Sequence, residues 1–303
     1  MARAGHLARK PYRMGAFPLT IALLAAIASL FVTASAGAEL SGNYAQFAQC
    51  PYKNPKASKC IYSTTSGGEV ALGSTKVPIL NPVVLQGAYA ESAKSNVSKI
   101  IAATNGTTLS KASQPIPGGL MGIVAPPDAP PLVKAVIALL FENGLTKASA
   151  SLELARPANE IRFSEENFGG ETGPALTLPV RVHLENPFLG SSCYVGSASA
   201  PILWKLTSGT TSPPKPNKPA TGTAGEIEFL EGGGLVKTKG SKLVDNAWSA
   251  PVAHGCGGPL SFLVNPLLNG AAGLPAAAGV NAVSLESAIS ISPVALVGEQ
   301  AGN

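Results

Sequence analysis

The sequence predicts a mainly β, antiparallel fold, a sandwich or partly open barrel, with one short apolar helix at about residues 130–143 and long Pro/Gly-rich loops. Gly and Pro are abundant, at 33 and 26 of 303 residues, whereas only 13% of the residues are charged and 6% aromatic. This composition is typical of short extended segments joined by many turns. Several segments alternate between apolar and polar residues, as half-buried strands do. An even number of cysteines fits disulfides in an exported domain.

The first 38 residues predict a secretory signal peptide. Four basic residues precede an apolar run from Phe17 to Val32, and small residues then permit cleavage after Ala36 or Ala38. The run has about 16 residues, fewer than the ~20 that a membrane-spanning helix needs. We therefore expect cleavage, with an uncleaved membrane anchor as the alternative. The mature protein would be a single β-rich domain, residues 39–303, that is secreted to the outside or kept in the cell envelope.

Cleavage would also remove the excess of positive charge. The chain has 22 Lys+Arg and 17 Asp+Glu, a net charge of +5, but the leader contains four basic residues and no acidic one. The mature chain is then close to neutral, and its basic residues are scattered. Because nucleic-acid binding requires clustered positive charge, we expect no nucleic-acid partner. The partner is left open, with another protein or a cell-envelope component as the options.

The clearest strand is Leu176–Glu185, in which apolar side chains recur at every second position. Pro179 lies inside it and cannot donate a ladder hydrogen bond, which predicts an edge strand or a bulge. A meander with Gly-containing turns at 66–68 and 73–74 is predicted for residues 61–79. The other strand candidates are residues 148–154, 160–163, 202–206, 226–230, 235–238 and 283–291.

Two segments depart from the β pattern. In the first, Asp128 can cap a helix, two prolines fit its first turn, and residues 132–141 are apolar except Lys134. At ~14 residues this helix would be ~20 Å long, too short to cross a membrane. We expect it to be buried across a sheet, with membrane insertion or burial against a partner as the alternative. The second segment, the Pro-rich residues 212–222, predicts a stiff surface loop, and docking to an aromatic groove is its alternative.

The four cysteines predict two disulfides and no metal site. Cys50 and Cys60 bracket a turn-rich segment that can fold back on itself, which leaves Cys193 to pair with Cys256. A zinc site with four cysteine ligands is the alternative, but no Cys-x-x-Cys spacing supports it.

Candidates for catalysis are few. The mature chain contains two His and two Asp. Asp128 is explained as a helix cap, and His183 by cross-strand pairing on the polar face of its strand. His254 and Asp245 are weak catalytic candidates, because both lie within the segment that the second disulfide would close. The Glu residues, among them Glu165, Glu166 and Glu171, neither support nor exclude a pair of catalytic carboxylates.

Sequence motifs for catalysis and for cofactors are missing from the chain. There is no Gly-x-Ser-x-Gly nucleophile motif, no phosphate-binding Gly-rich loop and no dinucleotide-binding motif. The sequence therefore predicts no cofactor.

The run from Val180 to Ser197, together with residues 243–246 and 254–257, resembles uncharacterised secreted proteins of high-GC Gram-positive bacteria. The segment from Cys50 to Cys60 and the downstream Val77-Pro78-Ile79 fit the same group. The resemblance covers most of the mature chain and implies export and a shared fold. It implies no activity, and no catalytic residue follows from it.

These observations predict an exported, disulfide-stabilised envelope or extracellular protein with a structural or binding role and no catalysis. One alternative is a secreted hydrolase that uses a Glu or His254. Another is a membrane-active or self-assembling protein that uses residues 132–141.

Overall fold

The computed structural model describes residues 39–92, 95–120, 130–132, 134–135 and 146–302. Within these ranges the chain forms a 15-stranded antiparallel sheet that is not closed into a barrel. The prediction of a mainly β, antiparallel fold is confirmed. The predicted signal peptide and most of the helix predicted at about 130–143 lie outside the described residues.

In chain order, the strands of the described residues are β1 (Lys59–Leu72), β2 (Thr75–Pro78), β3 (Val83–Ser92), β4 (Ser95–Ala102), β5 (Ser113–Pro115), β6 (Ser149–Leu154), β7 (Arg162–Phe163), β8 (Leu176–Glu185), β9 (Tyr194–Val195), β10 (Ile202–Leu206), β11 (Glu226–Leu230), β12 (Leu235–Lys239), β13 (Ser241–Asp245), β14 (Ala253–His254) and β15 (Ala282–Pro293). The α-helices are α1 (Glu165–Gly169), α2 (Ser261–Ala272) and α3 (Val294–Gln300). Short 3-10 helices are formed by Gly42–Phe47, Ala158–Glu160, Glu231–Gly233 and Gly258–Leu260.

The sheet runs in the order β11-β12-β15-β1-β3-β4-β7-β8-β6-β5. The remaining strands branch from this path: β2 pairs with β1, β13 with β15, β9 and β10 with β8, and β14 with β9. Among the described helices, none has the length and apolar character needed to cross a membrane.

The longest pairing joins β1 to β15, from Lys59 opposite Pro293 to Ala71 opposite Ala282. The turn predicted at residues 66–68 is wrong, because the chain continues through them as one strand with a bulge. Gly68 has φ +108, and a Cβ there would lie 2.0 Å from the carbonyl oxygen of Ser284. A close approach of two strands, rather than a turn, therefore requires this glycine. The other predicted turn, at 73–74, does join β1 to β2.

β8 is a central strand, so the edge position or bulge predicted from Pro179 is wrong. It pairs with β7 and β6 along one side and with β10 and β9 along the other. Pro179 lies between the parts of β8 that pair with β7 and with β6, and its carbonyl accepts the Ala155 N–H at 3.0 Å. In a β-strand, the N–H and C=O groups of one residue point toward the same neighbouring strand. The N–H that Pro179 lacks would therefore point to the place where the partner of β8 changes from β7 to β6.

Three α-helices of the described residues, α1, α2 and α3, were not predicted from the sequence. α2 buries Val264, Leu268 and Ala272, which lie four residues apart on one face. Pro266 lies inside this helix and interrupts its sequence pattern, which is why the pattern did not predict it. α1 and α3 have only five and seven residues, too few for a helical period to show in the sequence.

The two disulfides of the structure are the ones expected from the sequence. Cys50 and Cys60 have Cα atoms 5.6 Å apart, and those of Cys193 and Cys256 are 4.1 Å apart. The first disulfide belongs to a small second core, and the second belongs to the main core. Because disulfides persist in oxidising compartments, the pair fits a stabilised extracellular protein.

Candidate functional site

The main core contains an apolar cavity of about 100 Å³. Leu176, Leu178, Val182 and Leu184 of β8 contribute to its wall. These are apolar positions of the alternation that predicts the strand, so the pattern that forms β8 also lines the cavity. Most other wall residues are aliphatic and come from β1, β2, β3, β6, β15 and α2.

The cavity exists because small residues occupy core-facing positions. Its wall includes three alanines: Ala112, Ala150 and Ala272. It also includes four residues with small hydroxyl side chains: Ser63, Thr65, Thr75 and Ser287. Leucine or phenylalanine at these positions would fill the space. Ser63 and Thr65 follow Ile61 at every second position of β1, but these small residues alone do not locate the cavity, because its wall comes from many distant segments.

The size and polarity of the cavity favour an apolar occupant. An apolar cavity of about 150 Å³ lined by Leu, Ile and Phe in another protein stays dry and binds benzene. A cavity of about 100 Å³ therefore has room for a small apolar molecule or a short stretch of hydrocarbon chain.

Three of the polar residues in the wall, Thr65, Ser287 and Gln114, are satisfied by the protein itself. The hydroxyls of Thr65 and Ser287 lie 2.8 Å apart, directly across the β1–β15 pairing. Gln114 accepts the N–H groups of Leu80 and Asn81 at 2.8 and 2.9 Å and donates to the carbonyl of Asn81 at 2.7 Å. These groups hold the strands and loops around the cavity.

Two other polar atoms of the wall are unsatisfied. The indole Nε1 of Trp204 and the hydroxyl Oγ1 of Thr75 are buried and have no hydrogen-bond partner within the described ranges. Trp204 is 0% exposed and lies on β10 opposite Leu178. The cavity therefore has a mostly apolar wall that includes two buried polar atoms without a partner among the described residues.

The opposite face of β8 carries a network of charged and polar side chains. Arg181 donates to Glu153 at 2.6 Å, and the Lys111 ammonium lies 2.9 Å from the same carboxylate. Burial by itself would raise the pKa of Glu153, but hydrogen bonds and charge from Lys111 and Arg181 outweigh it and hold the pKa below its usual range. Glu153 is thus a paired, buried carboxylate between two cations.

Glu185 lies on the same polar face and accepts hydrogen bonds from three serine hydroxyls: Ser113, Ser149 and Ser151. Burial alone would raise the pKa of Glu185, but these hydroxyls, with a contribution from His183, hold it below its usual range. The serines donate to the carboxylate rather than to an imidazole, so they do not form the nucleophile–base pair of a hydrolase.

His183 lies where the alternation of β8 predicts it. Its Nδ1 is 3.8 Å from the Glu185 carboxylate, and its ring stacks on Tyr194 with centroids 4.5 Å apart. The guanidinium of Arg181 lies 4.2 Å from the centroid of the same tyrosine ring. These contacts account for His183 as part of the polar face.

The structure does not bring the two weak catalytic candidates into contact. His254 is exposed, and its Nε2 lies 3.2 Å from the carbonyl oxygen of Gly196. Asp245 is only 3% exposed, and its carboxylate accepts the N–H groups of Lys205 and Ala247 at 2.6 and 2.8 Å. Burial raises the pKa of Asp245 by more than these two hydrogen bonds lower it. In the part of the chain that the structure describes, no hydrogen bond joins Asp245 to His254.

The glutamates considered from the sequence hold local structure. Glu165 binds Lys59 at 2.8 Å and accepts the Tyr89 hydroxyl. Glu171 accepts the Thr223 hydroxyl and the Ala224 N–H, both at 2.9 Å. No group of three or more His, Cys, Asp or Glu that could hold a metal ion occurs among the described residues.

Comparison with known proteins identifies no relative. No protein-family model, no curated protein and no solved structure matches the chain significantly.

Proposed function

We propose that this chain is an exported, non-catalytic binding protein that holds a small apolar molecule, or the hydrocarbon part of a larger one, in the cavity of its main core. The observation that carries the proposal is the cavity itself, about 100 Å³ in volume, whose wall is mostly aliphatic among the described residues. Binding sites for small molecules are concave, mostly apolar and largely preformed, and the cavity has these properties.

The free energy of the empty cavity favours an occupant. At about 24 cal/mol per Å³, a void of this size costs about 2 kcal/mol of folding stability. A ligand restores the missing contacts, and each buried CH₂ group contributes about 0.8 kcal/mol. For a six-carbon hydrocarbon this gives about 5 kcal/mol, which corresponds to a dissociation constant of roughly 0.1–1 mM.

Export is supported by the two disulfides and by the leader pattern of residues 1–38. A non-catalytic role is supported by the contacts of the candidate residues. Asp245 binds two backbone N–H groups, and the three serines around Glu185 are oriented toward its carboxylate.

A titration of the purified protein with cyclohexane, followed by NMR of side-chain methyl groups, tests the proposal. We expect saturable shifts confined to wall residues such as Leu152 and Leu268. Ala150→Leu places a larger side chain in the cavity and is expected to weaken binding at least tenfold. Ala88→Leu, a buried substitution in the second core, is the control and is expected to leave cyclohexane binding unchanged. Shifts that do not saturate, or equal binding by Ala150→Leu, would overturn the proposal.

A further inference from the structure

We propose that the outer edge of β11 (Glu226–Leu230) binds an extended segment of another protein, in which lysine or arginine residues alternate with apolar ones. The segment would join the sheet as one more antiparallel strand. Addition of a strand to an exposed sheet edge is a recurring way in which proteins bind peptides. No residue of β11 is among the described residues that line the cavity, so this proposal is independent of the proposed function.

β11 ends the sheet on one side. It pairs with β12 from Glu226 opposite Lys239 to Leu230 opposite Leu235, and in the described part of the chain its other side pairs with no strand. Among the described residues, the backbone of β11 also makes no hydrogen bond outside this pairing. The N–H and C=O groups that point outward from β11 are therefore available to a further strand.

The far end of the sheet is protected against strand addition, whereas β11 is not. At that end, β5 has three residues and finishes with Pro115. Very short strands and prolines are common means of protecting a sheet edge. β11 has five residues and contains no proline, its register with β12 shows no bulge, and its two charged residues are both acidic. It can therefore accept a strand of suitable charge.

One face of β11 carries apolar side chains that the fold leaves uncovered. Ile227 and Phe229 alternate on this face and are 40% and 69% exposed. Phe229 lies opposite Val236 of β12, which in turn lies opposite Ile291 of β15, a residue of the main core. The uncovered pair thus continues the core-facing side of the sheet beyond the core. An added strand with apolar residues beside Ile227 and Phe229 would bury part of both side chains.

The other face of β11 carries the carboxylates of Glu226 and Glu228. Glu228 lies 3.2 Å from the Lys239 ammonium in an exposed ion pair, and no ion pair of Glu226 occurs within the described ranges. Residues directly opposite each other in an antiparallel pair have Cβ atoms about 5 Å apart, and opposite charges at such positions stabilise the pair. A strand with a basic residue opposite each glutamate therefore complements this edge.

β12 shows which sequence pattern pairs with β11. It reads Leu-Val-Lys-Thr-Lys, and it places one lysine opposite Glu228 and the other opposite Glu226. Side chains of a strand keep to the same two faces whichever neighbour is considered, so the pattern that fits one side of β11 also fits the other. β12 itself already lies between β11 and β15, so the outer side requires a different segment.

A second copy of the chain is a poorer partner for this edge. The antiparallel register that pairs all five residues of β11 with a second β11 places Ile227 beside Phe229, which is favourable. The same register places two copies of Glu228 directly opposite each other, and like charges at such positions are destabilising. The edge therefore favours a basic partner over self-association.

Two capped peptides test the proposal by titration into ¹⁵N-labelled protein, followed by NMR. The first, Leu-Val-Lys-Thr-Lys, has the pattern of β12, and the second, Leu-Val-Glu-Thr-Glu, reverses its charge. We expect the lysine peptide to produce saturable shifts of backbone amide signals centred on residues 226–230. Because two attractive pairs become two repulsive ones, the glutamate peptide should bind about tenfold more weakly or worse.

Substitutions at exposed positions separate the contributions of the two faces. Phe229→Ser removes the exposed ring and is expected to weaken binding of the lysine peptide about threefold or more. Phe262→Ser is the matched control, since Phe262 is 75% exposed but lies on α2, and it should leave the affinity unchanged. The double variant Glu226→Gln/Glu228→Gln should lose the preference for the lysine peptide.

Three results would overturn the proposal. The first is equal binding of the two peptides, or binding of neither. The second is a set of amide shifts centred outside β11. The third is a dimer in analytical ultracentrifugation that Phe229→Ser dissociates, because the edge would then bind a second copy of the chain. Each of these results would leave the proposal of an apolar cavity site unaffected.

Discussion

Arg181 lies directly opposite Glu153 in the β6–β8 pairing, and its guanidinium donates to one carboxylate oxygen of Glu153 from two nitrogens, at 3.1 and 2.6 Å. The two strands that carry this ion pair also carry Leu152 and Val182, which line the cavity on their other face. One pair of strands therefore has an ionic face and a ligand-binding face. The ion pair restrains the two strands on the ionic face, and this restraint maintains the shape of the cavity wall on the other face.

The first prediction is a loss of stability in acid. Glu153 and Glu185 have folded-state pKa values below their usual range, so ionisation of each favours the folded protein. This contribution is complete above the unfolded-state pKa of about 4.3 and is lost as the pH falls through the folded-state pKa. We expect Glu185→Gln to reduce the free energy of unfolding by about 1–2 kcal/mol at pH 7. We also expect the free energy of unfolding of this variant to fall less steeply as the pH is lowered below about 5. Urea unfolding between pH 2 and 7 measures both effects.

The control for this experiment is Glu69→Gln. Glu69 makes a surface contact with Lys76 at 3.7 Å, so its replacement should change stability by less than about 0.5 kcal/mol. Equal effects of the Glu185 and Glu69 substitutions would show that the three serines around Glu185 contribute nothing specific.

The second prediction compares two buried alanines. Ala150 faces the cavity, so Ala150→Leu should change the free energy of unfolding by less than about 1 kcal/mol or should increase it. Ala88 is 0% exposed in the second core and does not line the cavity, so Ala88→Leu should cost about 1–3 kcal/mol through overpacking. Chemical denaturation measures both. A larger loss for Ala150→Leu than for Ala88→Leu would contradict the presence of free space beside Ala150.

The third prediction concerns the disulfides. The Cys50–Cys60 bond has a sequence separation of 10 and the Cys193–Cys256 bond one of 63. Loop-closure entropy then predicts losses of about 3 kcal/mol for the double variant Cys50→Ala/Cys60→Ala and about 4 kcal/mol for Cys193→Ala/Cys256→Ala. The order of the two denaturation midpoints tests this prediction, and a reversed order would mean that factors other than loop length dominate.

The fourth prediction separates the two weak catalytic candidates. Asp245→Ala leaves the N–H groups of Lys205 and Ala247 without their acceptor and should cost about 2–4 kcal/mol of stability. His254→Ala, at an exposed position, should cost less than about 0.5 kcal/mol. A hydrolase substrate screen should find no turnover in the wild-type protein. Turnover that His254→Ala abolishes would favour the hydrolase alternative over a binding protein.

The fifth prediction concerns processing. The two small-residue sites predict that the exported protein begins at Gly37 or Glu39. N-terminal sequencing of protein collected outside the cell measures this directly. Recovery of Met1 or Ala2 from that material would mean that the leader is not removed.

Strands whose side chains alternate regularly could be located from the sequence. The bounds predicted for β8, β10 and β11 agree with the structure. In β8, Leu176, Leu178, Val180 and Leu184 are buried on one face, and alternation is visible in such a strand. β3, β4 and β13 were missed. In β3, Gly87, Ala88 and Tyr89 are consecutive buried residues, so no alternation marks the strand.

The candidate site could be predicted less well than the strands. Single residues such as His183 and Cys50 have local sequence signals, and the structure places both as expected. The cavity is different, because Ala150, Trp204 and Ser287 lie far apart in the chain and meet only through pairings between distant strands. A void is a property of how several strands pack together, and a one-dimensional pattern does not encode it.

The position of β15 has a consequence for when the chain can fold. This strand lies near the C-terminal end of the chain and yet stands between β1, β12 and β13 in the sheet. Until residues 282–293 have been synthesised, β1 lacks its longest pairing, and β12 and β13 lack the neighbour that they share with it. A fold dominated by such distant pairings forms slowly, after the chain is complete. If the chain is exported, as we propose, the residues before β15 would cross the membrane while the longest strand pairing is still unformed.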